Sequence, residues 1–165
     1  MKSLFITILI ISLISCHNTE TQHIKLTEKI SNLEAQLKAT YHPGLGEMMG
    51  SVQKHHSKLW FAANNANWKL ATFEIKELHE NIEDIKIHQA KREETQWIDM
   101  IIPSLDSTAM AIKTKNFPAF KAAYNRLTKS CNDCHLTTHY EYIRIKTPDH
   151  SPYYDQDFNP LIRGK

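Results

Sequence analysis

The amino-acid sequence predicts an all-α protein: an antiparallel four-helix bundle with an extra N-terminal helix and an extended C-terminal tail. Three observations carry this expectation. The 165 residues contain only four glycines and six prolines, too few for a turn-rich β fold. Runs of β-branched residues are scarce after residue 15. Apolar residues instead recur at steps of three and four, the spacing that gathers side chains on one face of a helix.

The first fifteen residues stand outside that fold. Lys2 precedes an apolar stretch from Leu4 to Ile14, too short to span a bilayer and of the length of a signal-peptide hydrophobic region. Leu13-Ile14-Ser15-Cys16 resembles the lipobox of bacterial lipoproteins, in which the cysteine is acylated and becomes the new N-terminus. The expectation is therefore a signal peptide over 1–15, lipidation at Cys16 and a membrane tether through acyl chains. An ordinary signal peptide or an uncleaved anchor is the plainer alternative. His17 stands where an aspartate would suggest inner-membrane retention, so the resemblance favours the outer membrane, with the protein facing the periplasm.

Residues 16–43 read as a tether followed by an amphipathic helix from about residue 24 to Thr40. Leu26, Ile30, Leu33 and Leu37 form its apolar stripe. Fewer than three heptads fit, so a spacer or docked helix ranks above a coiled coil, and a homo-oligomer stays an open alternative. His42-Pro43-Gly44 interrupts the pattern.

The bundle is expected over 44–142. Leu45, Met49, Val52, His56, Leu59 and Ala63 make the seam of its first helix, flanked by Met48 and Trp60. Asn67 can cap the second, which runs from Trp68 to about His88 with Ile75, Leu78, Ile82 and Ile85 inward. Glu74, Glu77, Glu80 and Glu83 are expected on its wet side. A third helix is read over Glu93 to Lys115 from Trp97, Met100, Ile101, Leu105, Met110 and Ile112, with Pro103 kinking it or starting it late. Asn116-Phe117-Pro118 opens the fourth, whose face continues through Phe120, Ala123, Tyr124 and Leu127 to Cys131 and Cys134. Trp60, Trp68, Phe73, Phe120 and Tyr124 are expected in the core. Residues 143–165, with three prolines, read as a tail lying on the bundle.

Net charge is +2, which gives no support to nucleic-acid binding. Beyond Cys16 only Cys131 and Cys134 remain, so no disulfide framework exists. No phosphate-binding glycine loop or catalytic constellation is present, and no enzymatic activity is expected.

Cys131-Asn132-Asp133-Cys134-His135 matches the attachment signature of c-type haem. Positions three and four apart share a helix face, so two sulfurs and an imidazole converge. The thiols can form thioethers with the vinyl groups of one haem, and the imidazole can bind iron from one side. The export signal agrees, because such haem is attached beyond the energy-transducing membrane. A zinc site built with His139 or a bundle histidine, a redox dithiol, and chance are the competing readings.

A four-helix bundle with this motif near the end of its last helix resembles the class II c-type cytochromes, the cytochrome c prime family and its low-spin relatives. The likeness covers about residues 44–140; the N-terminal helix and the tail lie outside it. It implies a single-electron carrier with redox partner proteins, and a distal position faced by the early part of the first bundle helix. Here that place holds Leu45-Gly46-Glu47-Met48-Met49-Gly50. Met49, in the seam, is the first candidate for distal ligand; Met48, His56 and His55 are the others, with His56 otherwise a pocket residue. Gly46 and Gly50 could let a flat ring approach. An open distal position would imply a five-coordinate gas-binding or sensing protein instead. The remaining alternative is a haem-free lipoprotein bundle serving as an interaction module.

Overall fold

A computed structural model of the chain describes residues 20–37 and 43–161. The expected signal peptide and Cys16 lie outside the described residues, as do 38–42 and 162–165. The chain divides into two units, 1–42 and 43–165.

In the first unit, α1 occupies residues 20–37 and is already helical four residues before the predicted start. Leu26, Ile30, Leu33 and Leu37 are exposed along it. None of the described helices is long and apolar enough to cross a membrane.

The second unit is an all-helical bundle. It contains α2 (Leu45–Asn64), α3 (Trp68–His88), a 3-10 helix (Glu94–Ile101), α4 (Ile102–Lys113) and α5 (Phe117–Thr137). No strand occurs among the described residues. α2 packs mainly on α3 and α4 mainly on α5, while α3 meets α4 and α2 meets α5. Short turns separate the elements. Asn67 accepts a hydrogen bond from the Leu70 amide at 3.2 Å and caps α3, and Asn116 accepts from the Ala119 amide at 3.0 Å and caps α5. Leu59, Ile85, Leu105, Phe120, Tyr124 and Leu127 form the fully buried centre. Trp60 lies against Tyr124 and Phe120, with ring centroids 5.0 and 6.3 Å apart.

The expected third helix is split. Residues 94–101 wind as a 3-10 helix, whose three-residue period aligns Ile98 with Ile101 inward. Trp97, Met100 and, further on, Met110 are exposed rather than in the core seam. Pro103 falls in the first turn of α4, where its missing N–H has no intrahelical acceptor to lose. Two further expectations are corrected in α3. Phe73 is exposed, because the buried stripe passes through Ala71, Ile75 and Leu78. Glu74 lies on that stripe and is fully buried.

α5 ends at Thr137, five residues before 142, the expected end of the bundle. His139 takes a left-handed backbone (φ 63°), and the Tyr140 amide donates to the His135 carbonyl at 2.7 Å, which closes the last turn. The chain beyond runs over the bundle as an extended tail. The Tyr153 hydroxyl donates to the Lys54 carbonyl at 3.3 Å, Phe158 is buried against Phe61, and the Asn67 amide donates to the Asn159 carbonyl at 3.1 Å.

Candidate functional site

A cavity of about 450 Å³ opens between α2, the end of α3, the 3-10 helix, α5 and the tail. That is within the size range of small-molecule sites, ~300–1,000 Å³. Its surface is mostly apolar, with Val52, Ile82, Ile85, Ile98 and Ile101 from the helices and Ile143 and Ile145 from the tail. Cys131, Cys134 and His135 all line it from α5, as their spacing requires, and Met49 lines it from α2. Residues 82 positions apart in sequence, Met49 and Cys131, thus border one space.

The two methionines part company. Met48 turns into the core, 7% exposed, whereas Met49 is half-buried and borders the cavity. Gly46 and Gly50 also border it, and a β-carbon built on either would meet nothing within 4 Å.

The two histidines separate as well. His56 is buried in the wall with both ring nitrogens engaged, Nδ1 with the Tyr124 hydroxyl at 3.0 Å and Nε2 with the Thr128 hydroxyl at 2.9 Å. Burial lowers its pKa to about 4, so the ring is neutral at ordinary pH. With both nitrogens held, His56 forms wall and offers no free lone pair to an iron. His55 is outside the cavity lining. Its Nδ1 meets the Glu74 carboxylate at 2.7 Å, both side chains being buried, and Glu77 stands 3.9 Å from Nε2. Sequence reasoning missed this pair because it grouped Glu74 by its charge with the wet-side glutamates, although Glu74 lies three residues after Ala71 and four before Leu78, on the buried stripe.

His135 is placed differently. Its Nδ1 donates to the Ile143 carbonyl at 2.7 Å. In the neutral ring that bond sets the tautomer: Nδ1 carries the proton and Nε2 the lone pair. The tail, which periodicity leaves without a role, supplies the acceptor.

Cys131 and Cys134 are free thiols. Burial, helped by the neighbouring Cys134, pushes Cys131 up to about 12, and burial also raises Cys134. The Cys134 thiol sits 3.9 Å from the Trp97 carbonyl, to which it donates. A redox dithiol needs a lowered thiol pKa, the opposite of this environment. Among the described residues, no three His, Cys, Asp or Glu side chains gather as a metal shell.

One rim of the cavity is charged. Arg92 pairs with Glu94 through two contacts of 2.6 and 3.1 Å, and the Tyr140 hydroxyl donates to the same carboxylate at 2.9 Å. The Arg92 pairing holds Glu94 down at about 2.

The donor set fits a covalently held haem. Two thiols stand one helical turn apart, an imidazole with a bare Nε2 follows, the chamber is mostly apolar, and a thioether faces in from another helix. Comparisons with protein-family models, with curated proteins and with solved structures returned no match.

Proposed function

We propose that the protein is a membrane-tethered c-type cytochrome that holds one haem and carries single electrons. The observation that carries the reading is the meeting of Cys131, Cys134, His135 and Met49 on one apolar cavity, with the His135 tautomer set for metal ligation. Cys131 and Cys134 would hold the haem covalently, each S–H adding across one vinyl group with no net oxidation. His135 would hold its iron through Nε2, and Met49 through its thioether. When bound, the haem supplies a ferric–ferrous couple, and no substrate is transformed. The apolar walls exclude water and, with a thioether ligand, favour the reduced state. Arg92 lies at the rim, where it can exchange Glu94 for a propionate.

The tether is Cys16, acylated at a lipobox-like sequence, with the bundle facing the periplasm, the outer membrane being favoured, and redox proteins as partners. Haem staining after denaturing electrophoresis, with intact mass measurement, tests the reading. Protein expressed with a working maturation system should carry one covalent haem, lost in the Cys131→Ser/Cys134→Ser double variant. A mature chain at apoprotein mass would overturn it.

A further inference from the structure

The residues between the motif's two cysteines are usually regarded as spacers. Asn132 has a geometry that gives it a task. Its side-chain amide uses every hydrogen-bonding group it has. Nδ2 donates to the Thr128 carbonyl at 3.1 Å and to the Ile145 carbonyl at 2.9 Å, and Oδ1 accepts from the Ile145 amide at 2.8 Å. The last two bonds grip the tail backbone at one residue from both sides, as a neighbouring strand would.

The tail is gripped at a second point five residues earlier. The Tyr140 amide donates to the His135 carbonyl, and its hydroxyl to Glu94 at 2.9 Å. Between the two grips lies Ile143, whose amide closes a turn on the Tyr140 carbonyl at 2.8 Å and whose own carbonyl receives His135 Nδ1 at 2.7 Å. The backbone two residues beyond that acceptor is thus held by Asn132, three residues before His135 on the same helix. Ile143 and Ile145 also line the cavity, so the same grip sets its tail-side wall.

We propose that Asn132 is a positioning residue: it pins the tail so that the Ile143 carbonyl holds His135 with Nδ1 protonated and Nε2 bare toward the cofactor site. The consequence for the metal rests on the haem reading, whereas the imidazole geometry does not. Without the grip, a half-exposed imidazole rotates and exchanges tautomers, and the form protonated at Nε2 cannot ligate. In the loaded protein, the Nδ1–H bond strengthens Nε2 as a donor and favours the ferric state.

The test compares wild type with Asn132→Ala and with Ile145→Pro, which removes the gripping amide while leaving α5 untouched. Nitrogen NMR of the haem-free chain should report His135 protonated at Nδ1 in wild type and mixed tautomers in both variants. Exchange of the Ile145 amide should quicken about tenfold in Asn132→Ala. In the loaded protein the midpoint potential should rise in both variants, with the helical circular dichroism unchanged. An unchanged His135 tautomer together with an unchanged potential would overturn the proposal. If wild type never acquires haem, the cytochrome reading fails, and the tautomer comparison still decides for or against the grip. Should Asn132→Ala fail to fold, Ile145→Pro carries both readouts.

Discussion

Glu74 and His55 meet across the α2–α3 interface with Oε2 and Nδ1 2.7 Å apart, both side chains buried. Removing one partner leaves a buried polar group of the other short of a hydrogen bond, at a cost of roughly 1–3 kcal/mol. Glu74→Ala is therefore expected to be destabilising, while His55→Leu/Glu74→Leu together should come close to wild type. Denaturant unfolding of the four corners of this cycle checks it. A Glu74→Ala variant as stable as wild type would show that the pair is solvated.

His56 makes stability depend on pH. Its folded pKa, about 4, lies below the ordinary 6.5, so the unfolded chain binds the proton more readily. Stability from this group is complete above pH 6.5 and is lost as pH falls toward 4, by roughly 3 kcal/mol at most. His56→Gln should flatten that part of the profile. Chemical denaturation between pH 4 and 7 separates the two chains, and parallel profiles would remove His56 as the cause.

Met48 and Met49 should differ in kind. Met49→Ala is expected to abolish the weak absorption near ~695 nm in the oxidised protein and leave the iron high-spin. Met48→Ala should keep the wild-type spectrum but lose roughly 2–5 kcal/mol of stability, because it empties core volume. An unaltered spin state in Met49→Ala would eliminate that residue as ligand, and fast carbon monoxide binding by wild type would point to the open-site alternative.

Gly50 separates room from function. Nothing in the protein obstructs a β-carbon there, and a helix-interior alanine is favoured over glycine by about 1 kcal/mol. Gly50→Ala should thus stabilise the haem-free chain. Gly50→Leu fills part of the cavity and should lower the haem content per chain, read from the absorption of the denatured protein. Full loading of the leucine variant would mean the ring does not approach α2 at this point.

Much of the site was legible before any coordinates. A three-and-four spacing forces Cys131, Cys134 and His135 onto one helix face whatever surrounds them, and the step from Leu45 to Met49 to Val52 aims Met49 with the seam. Local chemistry likewise announced the cap Asn67 and the opening of α5 at Asn116-Phe117-Pro118. Where reading along one helix failed, the reason was local as well. A 3-10 stretch has a different period from the α-helix assumed for it, so Trp97 and Met100 turned outward, and Glu74 was read by its charge rather than by its place between Ala71 and Leu78 on the stripe.

By itself, then, the chain determined an all-helical architecture, the boundaries of α2 and α3, and the grouping of sulfur and imidazole on α5, because each depends on residues within a few turns of one another. The tertiary structure decided the rest. It brought Met49 to the same cavity as Cys131, and gave Glu74 a partner nineteen residues away. It also turned a proline-bearing tail into the holder of the His135 imidazole. Those relationships are contacts between distant segments, and hydrogen bonds made across such distances leave no periodic trace in either segment.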